Sequence, residues 1–317
     1  MRCDCRPFFI FTLLLSVGAL AGVGTENHVG DDDADVATHS LPTVTFIKYA
    51  KSTSGREEYD VNLLRLAMEK TRAEYGDYQI EIRTFPYVAG RRSREIAVGV
   101  NINVMADPPR PDTIFQDGDT TVIPLPIMKG LLGYRALVAN AKSADRIAKL
   151  NTVEEFQALS IGQGAGWIDS QVYRKAGMRV VDPSAIGRLY PMLVRGRFDA
   201  ISLGISEISQ TLQDAQKKVA SGEFNELVIV PNIVIYYPLP VFFTVSGLEP
   251  ELAARIELGL QRAKRDGSFD HLFDRHFAPI VTQFFSPTTR VLALRNPSLE
   301  SFRSLLEPLP FKPRLEN

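Results

Sequence analysis

The stretch that decides the fold is Ile123–Asn140, which reads IPLPIMKGLLGYRALVAN. Two prolines and a Gly-Leu-Leu-Gly segment precede an apolar run, which is typical of a connector that becomes a strand. A single arginine, Arg135, lies inside this run, and a buried charge needs a partner. Arg135 either pairs with a structural carboxylate, or extends to water, or binds a ligand where the chain crosses between two lobes.

A second stretch of the same character, Pro238–Ser246, reads PLPVFFTVS and again places prolines before an apolar run. Two such connectors are expected where one lobe is inserted into another. We therefore predict a lobe 1 formed by residues 42–136 and 238–317, and an inserted lobe 2 formed by residues 137–237.

Strand-like and helix-like patterns alternate along the chain. Thr43–Tyr49 alternates β-branched and aromatic residues, Tyr59–Tyr75 repeats apolar residues at helical spacing, and Tyr78–Phe85 alternates again. The order strand, helix, strand predicts a parallel α/β unit. Because similar patterns continue beyond Asn140, the predicted fold class is α/β, with a mixed sheet flanked by helices in each of two lobes and two crossover segments as the hinge.

The N-terminal residues have the pattern of a secretory signal peptide. The apolar run Phe8–Val17 is followed by small residues at Ala19 and Ala21, which fit a cleavage site. We predict cleavage after Ala21, so that residues 1–21 are a signal peptide and the mature protein is periplasmic. Because the apolar run is short for a membrane span of about 20 residues, an uncleaved anchor is the alternative.

Residues 22–41 are predicted to be a disordered acidic leader. The cluster Asp31, Asp32 and Asp33 lies among Gly, Thr and Ser residues, a composition that forms no packed core. Both cysteines, Cys3 and Cys5, precede the predicted cleavage site. No disulfide is therefore expected in the mature protein.

Composition and charge exclude several classes of function. The 317 residues include 36 basic and 37 acidic side chains, with a net charge of −1. These charges are spread along the chain, whereas nucleic-acid-binding proteins concentrate basic residues on one face. The sequence therefore predicts no nucleic-acid partner. Separately, we expect the protein to be a monomer.

The sequence has no recognisable pattern of catalytic, metal-binding or cofactor-binding residues. His271 and His276 are five positions apart, not the four that place two ligands on one helix face. Gly162–Gly166 lacks both the GxGxxG order and the Lys-Ser/Thr ending of nucleotide-binding loops. We therefore predict that the chain is not an enzyme, has no catalytic residue, and uses no metal or cofactor.

A glycine-rich turn, Gly162–Ser170, reads GQGAGWIDS and lies between a predicted strand and a predicted helix. Such a turn exposes backbone amides at the start of the helix, which suit an anion or carboxylate. Trp167 is the only tryptophan, and it either contacts a ligand or packs in the core. Asp169 either caps the following helix or accepts a hydrogen bond from a ligand amine.

In this order, several segments resemble the type II periplasmic solute-binding proteins of ABC uptake systems. The chain is most similar to the amino-acid-type subgroup, whose members share a crossover like Ile123–Arg135. The resemblance covers roughly residues 43–313. The segments that carry it are Ile123–Arg135, Gly162–Asp169, Met192–Glu207, Tyr237–Phe243, Leu252–Phe273 and Arg295–Pro297.

The resemblance implies a two-lobed fold that captures a small polar or zwitterionic, amino-acid-like solute in the cleft by hinge closure. The implied partner is a membrane permease of an ABC transporter. The alternative is a ligand-sensing partner of a membrane signalling protein, without transport. The candidate ligand-binding residues are Arg135, Trp167, Asp169, Tyr134, Gly166, Glu207, Tyr49 and Phe85.

Besides Arg135, Trp167 and Asp169, four more candidates have a second interpretation, three as packing residues and one as part of a structural ion pair. Tyr49, Tyr134 and Phe85 lie at predicted strand ends or at the crossover, where they either line the cleft or pack in the core. Glu207 either pairs with a ligand cation or with Arg135.

The chain departs from the family pattern just before the crossover. Members of the subgroup usually place a Thr and an Arg there for the ligand carboxylate. Residues 104–119 read VMADPPRPDTIFQDGD, and Arg110 and Thr113 are the nearby candidates, at a different spacing.

Overall fold

The computed structural model describes residues 44–51, 56–84, 89–109, 118–183, 186–218, 224, 226–299 and 315–316. Phe85, one of the predicted ligand contacts, lies outside these residues, as do the predicted signal peptide and leader. Within the described part of the chain, no helix is both long enough and apolar enough to cross a bilayer.

Strands and helices alternate along most of the chain. The strands are β1 Thr45–Ala50, β2 Tyr78–Arg83, β3 Val104–Asp107, β4 Thr120–Val122, β5 Tyr134–Asn140, β6 Ser160–Gly162, β7 Arg179–Val181, β8 Ala200–Gly204, β9 Leu227–Ile229, β10 Ile233–Tyr236, β11 Phe242–Ser246, β12 Arg290–Ala293 and β13 Leu315–Glu316. The helices are α1 Glu57–Glu69, α2 Arg72–Tyr75, α3 Ala89–Val98, α4 Ala141–Ile147, α5 Val153–Gln157, α6 Ile168–Lys175, α7 Leu189–Val194, α8 Ile208–Lys218, α9 Pro250–Arg265 and α10 Ser268–Phe284. Short 3₁₀ turns cover Leu131–Gly133 and Ile186–Arg188.

The sheet of lobe 1 has five strands in the order β2-β1-β3-β11-β4. β1 runs parallel to β2 and β3, whereas β11 is antiparallel to β3 and β4. The predicted strand–helix–strand unit is therefore confirmed, with α1 and α2 between β1 and β2. Ile47 and Tyr49 of β1 are buried in one cluster with the apolar face of α1, as alternation along a half-buried strand requires.

The sheet of lobe 2 has eight strands: β13-β12-β10-β5-β8-β6-β7 in sequence across the sheet, with β9 also paired with β5. β5 lies between β10 and β8 and is antiparallel to both, and its residues 134–139 are all buried. β6 runs parallel to β7 and β8. The apolar run YRALVA is thus a central strand, which explains why it shows no polar alternation.

The chain passes between the two sheets at both predicted connectors. Residues 123–133 lead from β4 to β5, and residues 237–241 lead back from β10 to β11. The connectors lie side by side, since Tyr237 N–H donates to the Gly133 carbonyl (3.2 Å) and Ile127 N–H to the Val241 carbonyl (2.9 Å). A Cβ on Gly133 would lie 2.2 Å from the Tyr237 carbonyl oxygen, so this approach requires glycine. The two-lobed α/β fold with two crossover segments is confirmed.

The C-terminal strands lie in a different lobe from the one predicted. β12 pairs in parallel with β10, and β13 pairs in parallel with β12. Both strands therefore belong to lobe 2, whereas the boundary drawn from the sequence put residues 238–317 in lobe 1. α10 makes this third passage: its start packs on α1 and α9, and Phe285 after its end contacts Tyr134 of β5 with ring centroids 5.3 Å apart.

Helix boundaries follow local chemistry. The single helix predicted for Tyr59–Tyr75 is divided into α1 and α2, and Thr71 at the break donates its hydroxyl hydrogen to carbonyls of the preceding turn. Gly76 ends α2 with a φ of 77°, a backbone conformation that favours glycine. Thr152 caps α5 in a reciprocal capping box with Glu155. α10 continues to Phe284, through Pro279.

α1 and α9 pack closely because a glycine lies at their contact. A Cβ on Gly259 of α9 would lie 2.1 Å from the carbonyl oxygen of Ala67 in α1. In a closely packed interior, backbone atoms cannot move aside to make room for such a methyl group. Gly259 therefore determines how closely the two helices of lobe 1 approach.

We expect Gly259→Ala to lower the free energy of unfolding by about 1–3 kcal/mol, because the methyl group forces α9 away from α1. Urea-induced unfolding measures this change. Gly187→Ala is the matched control, since nothing lies within 4 Å of a Cβ at that position, and its effect should stay within about 0.5 kcal/mol. Equal effects of the two substitutions would contradict the close approach.

Candidate ligand-binding site

Both sheets have an edge of the kind at which α/β proteins bind ligands, outside the carboxyl ends of the strands. The parallel strands are β1, β2 and β3 in lobe 1, and β6, β7 and β8 in lobe 2. We call these two regions the carboxyl edges. Arg56 follows β1 at the edge of lobe 1, and Gln163–Asp169 and Glu207 follow β6 and β8 at the edge of lobe 2.

Arg135 is buried in lobe 2 and pairs with Asp169. The Arg135 Nη2 to Asp169 Oδ1 distance is 2.5 Å, and Arg135 Nε donates to the hydroxyl oxygen of Tyr237 (3.0 Å). The Tyr237 hydroxyl donates in turn to Asp169 Oδ1. We call these three residues the lobe 2 triad. Of the alternatives left open by the sequence, the structure shows the structural carboxylate as the partner of Arg135.

The strands around Arg135 explain how the triad forms. In β5, Arg135 lies opposite Ile235 of β10 on one side and Gly204 of β8 on the other. A Cβ on Gly204 would lie 2.8 Å from Arg135 Nη1, so glycine leaves the space that the guanidinium fills. Tyr237 follows β10 in the second connector, and Asp169 lies in the first turn of α6.

The electrostatics of the triad favour charged Arg135 and neutral Tyr237. Burial lowers the pKa of Arg135, but the carboxylate of Asp169, with smaller effects of Tyr237 and Glu207, more than offsets this and raises it. Burial, together with the nearby Asp169 carboxylate, keeps the pKa of Tyr237 well above its ordinary value. Tyr237 therefore stays protonated and continues to donate its hydroxyl hydrogen.

Glu207 is held more loosely than Asp169. Its Oε1 accepts a hydrogen bond from Gly204 N–H (3.1 Å) and lies 3.6 Å from Arg135 Nη1. Its side chain is 14% exposed, so it reaches the surface of the edge. The sequence left open whether Glu207 pairs with Arg135 or with a ligand cation, and the structure shows the contact with Arg135.

The turn before α6 places Trp167 and Asp169 differently from the prediction. α6 begins at Ile168, ahead of the predicted start at Gln171, so Trp167 is the N-cap residue and Asp169 lies inside the first turn. Asp169 therefore does not cap the helix, because Arg135 and Tyr237 occupy its carboxylate. The ring of Trp167 lies against Gly164, where a Cβ would be 2.4 Å from Trp167 Cε2. Gly166 is exposed and has a φ of 78°.

Tyr134 and Tyr49 are packed inside the lobes. Tyr134 is 7% exposed and contacts Tyr236 with ring centroids 4.5 Å apart. Tyr49 is fully buried and donates its hydroxyl hydrogen to Asp60 Oδ2 (3.1 Å). The contacts of both residues are therefore packing contacts, one of the two interpretations that the sequence left open.

Lobe 1 contains a second buried arginine–aspartate–tyrosine group, Arg56, Asp60 and Tyr49, which we call the lobe 1 triad. Arg56 Nε lies 3.6 Å from Asp60 Oδ2, and Arg56 Nη2 donates to the Ala106 carbonyl (2.7 Å). Asp107 lies 3.6 Å from Arg56 and 3.3 Å from Arg92. The sequence interpretation missed Arg56 and Asp60 as site residues.

A signal for Asp60 was nevertheless present. Leu63, Leu64 and Ala67 follow Asp60 at positions i+3, i+4 and i+7, so this carboxylate interrupts the apolar stripe of α1. Arg56 has no such signal, because it precedes the helix and its neighbours in the sequence are polar.

Burial raises the pKa of Asp60 to about 6, although Arg56 and the Tyr49 hydrogen bond oppose this effect. For Arg56, burial lowers the pKa, and the negative charges of Asp60, Asp107 and Glu207 raise it above the ordinary value. Glu207 belongs to lobe 2. The charge of Glu207 in lobe 2 thus contributes to the raised pKa of Arg56 in lobe 1.

A cavity elsewhere in the described residues has a structural explanation. A cavity of about 420 Å³ on the flank of lobe 1 is lined by Arg255, Thr45 and Tyr75 among others. Arg255 is buried and donates to Thr71, Thr45 and the Gly76 carbonyl, so it holds the end of α2 in place. No group of three or more His, Cys, Asp or Glu side chains in the described part of the chain could hold a metal ion.

No protein-family model and no curated protein sequence matches the chain. Solved structures similar to it include an ancestral arginine-binding protein bound to arginine, with 17% identity and a TM-score of 0.48 over 73% of this chain and 98% of that one. The substrate-binding protein of an amino acid ABC transporter has 12% identity and a TM-score of 0.49 over 74% and 100%. A histidine kinase sensor domain with similarity to periplasmic binding proteins has 13% identity and a TM-score of 0.49 over 73% and 95%.

These neighbours are the kind of protein that the sequence resemblance named. Identities and TM-scores this low do not identify what the chain binds. The fold assignment rests on the strand order and the crossings of the chain itself.

We expect Arg135→Met to lower the free energy of unfolding by about 3–5 kcal/mol, because it leaves the buried Asp169 carboxylate without its cation. Chemical denaturation measures the loss, and adding Asp169→Asn to Arg135→Met should recover part of it. Arg146→Met is the matched control, since the Arg146–Asp199 pair is exposed by 55% and 32% and should contribute less than about 1 kcal/mol. A stable Arg135→Met protein would contradict the structural role of this pair.

The raised pKa of Asp60, about 6, predicts a pH-dependent stability. Between its unfolded pKa near 4 and its folded pKa, the folded protein holds a proton that the unfolded chain has released. The free energy of unfolding should therefore fall as pH rises through this interval, by an amount on the order of 3 kcal/mol.

Urea unfolding between pH 4 and 7 should show this loss in the wild type relative to Asp60→Asn, which cannot titrate. Asp145→Asn, on the exposed surface of α4, should keep the wild-type pH profile. If Asp60→Asn also keeps that profile, the assignment to Asp60 is wrong.

Proposed function

We propose that this chain is an exported, two-lobed solute-binding protein that captures a small polar compound between the carboxyl edges of its lobes. The captured solute is delivered to a membrane permease of an ABC transporter, or alternatively to a membrane signalling protein. Export follows cleavage after Ala21, and the protein binds its solute without chemical change.

One observation carries this proposal. Polar and charged side chains follow the carboxyl ends of the parallel strands in both lobes, Arg56 in lobe 1 and Asp169 and Glu207 in lobe 2. Polar groups that converge at a crevice between lobes are the usual form of a small-molecule site. Two side-by-side connectors allow the lobes to open and close around such a site.

Within this proposal the predicted site residues have different roles. Trp167, Gly166 and Glu207 lie at or near the surface of the lobe 2 edge and are the proposed ligand contacts. Arg135 and Asp169 position the turn that carries Trp167, because both are buried and already paired with each other.

Capture of the solute can be tested separately from the identity of the membrane protein that receives it. Genes for a permease and an ATPase beside this one would support transport, whereas a gene for a membrane histidine kinase would support sensing. Steady chemical turnover of any compound that also raises the melting temperature would contradict a binding protein without catalysis.

We expect that a solute which raises the melting temperature also changes the fluorescence of Trp167. The melting temperature rises because a ligand that binds only the folded protein stabilises it in proportion to the logarithm of its concentration. The emission changes because Trp167 is the only tryptophan and directly precedes α6 at the proposed site. A thermal-shift screen over amino acids, short peptides, polyamines, organic acids, sugars and amides identifies the compound, and fluorescence titration follows.

Trp167→Phe should weaken binding in calorimetry while the protein stays folded. Tyr75→Phe, at the end of α2 and remote from the carboxyl edges, is the control and should bind like the wild type. Full affinity of Trp167→Phe would show that Trp167 is not a contact.

A further inference from the structure

The carboxyl edges combine paired charges with unpaired neutral groups. The buried arginines described there each have a protein carboxylate nearby: Arg135 has Asp169 at 2.5 Å, Arg92 has Asp107 at 3.3 Å, and Arg56 has Asp60 at 3.6 Å. Glu207 shares Arg135 with Asp169. A zwitterionic ligand would have to displace one of these carboxylates to bind a buried arginine through its own.

Displacing a buried ion-pair partner is costly. A charge left without its partner in a low-dielectric site loses several kcal/mol, and the lobe 2 triad would lose the Tyr237 hydrogen bonds as well. Arg56 Nε and Asp60 Oδ1 do lack hydrogen-bond partners among the described residues, but these two groups face each other as an ion pair. None of the three buried arginines described at the edges is therefore free to bind a ligand carboxylate.

The buried polar atoms without partners in lobe 2 are neutral oxygens. Within the described part of the chain they are Ser170 Oγ, Ser206 Oγ, Tyr190 Oη and Gln163 Oε1. Their residues are 2%, 8%, 9% and 0% exposed, respectively. Leaving such a group unsatisfied costs about 1–3 kcal/mol, and native proteins rarely tolerate several together without a reason.

The residues that carry these four oxygens lie on segments that follow the carboxyl ends of β6, β7 and β8. Gln163 directly follows β6, Ser170 lies in the first turn of α6, and Ser206 lies two residues after β8. Tyr190 lies in the first turn of α7, the helix that runs back to β8, and its pKa is raised mainly by burial and also by Glu207. Ser170 follows Asp169 of the triad, and Ser206 precedes Glu207. Two of the unpartnered hydroxyls thus lie next in the sequence to the paired carboxylates.

We propose that the solute is a neutral compound rich in hydroxyl or amide groups, and not a zwitterion such as a free amino acid. Three hydroxyls can each donate and accept, and the Gln163 amide oxygen accepts, so together they match hydroxyl and N–H groups of a ligand. The proposal rests on the function proposed above and names its ligand class.

The first test is a thermal-shift comparison of two sets of probes at pH 7. The neutral set is D-glucose, N-acetyl-D-glucosamine, myo-inositol and N-acetyl-alanine methylamide. The zwitterionic set is arginine, glutamine, lysine and alanine. At least one neutral probe should raise the melting temperature, and no zwitterion should do so.

The two proposals fail in different ways. A shift by a zwitterion alone overturns the ligand class but leaves solute capture intact. No shift by either set overturns the ligand class, and failure of the broader screen described above to find any compound would then remove solute capture as well.

The second test needs no ligand. Ser170→Ala and Ser206→Ala remove buried hydroxyls that have no partner, so the melting temperature of the free protein should stay the same or rise. Ser143→Ala, in α4 away from the edge, is the control. A lower melting temperature in both edge variants would show that the hydroxyls are already satisfied, and it would overturn the proposal.

The same variants then test contact with the stabilising neutral probe. Each edge variant should bind that probe about 5- to 10-fold more weakly in calorimetry, the loss typical of one neutral hydrogen bond, and Ser143→Ala should bind it as the wild type does. Unchanged affinity in both edge variants would assign the contacts elsewhere and overturn the role of these oxygens.

Discussion

The buried guanidinium of Arg135 is the constraint on which the centre of this molecule depends. A charge in a central strand is tolerated only if it is paired and hydrogen-bonded. Here the partners come from three separate parts of the chain: Asp169 from α6, Tyr237 from the second connector, and Gly204, whose missing side chain leaves room. One charge therefore aligns both connectors with the turn that precedes α6.

Several strands of both lobes, and the two crossings between them, follow from local patterns that the sequence displays. Alternating and continuous apolar runs predicted β1, β2 and β5, and the two proline-containing connectors predicted the crossings. The prediction placed β12 in the wrong lobe, because a short apolar run such as Arg290–Ala293 fits the edge of either sheet. In the structure α10 leads the chain to lobe 2, where β12 pairs with β10. The spacing of residues along the sequence does not show which of two sheets a strand joins.

The site was harder to predict than the fold for a related reason. Arg135, Asp169 and Glu207 were predicted as candidate site residues, and the structure brings them together. Whether a buried charge meets a protein carboxylate or a ligand, however, depends on distances between segments far apart in sequence. Tyr237, which bridges Arg135 and Asp169, was seen only as part of a connector, since tyrosine beside prolines is unremarkable in a sequence. The lobe 1 triad was missed because Arg56 lies outside any periodic element.

The two triads have the same composition but differ in how tightly they are held. In lobe 2 the ion pair is 2.5 Å and the tyrosine hydroxyl bridges both partners. In lobe 1 the pair is 3.6 Å, the hydroxyl reaches only the carboxylate, and burial keeps the pKa of Asp60 near 6. The charges of the lobe 2 triad are therefore paired within that lobe. In the lobe 1 triad, the raised pKa of Asp60 makes its charge sensitive to pH, and the charge of Glu207 from lobe 2 acts on its partner Arg56.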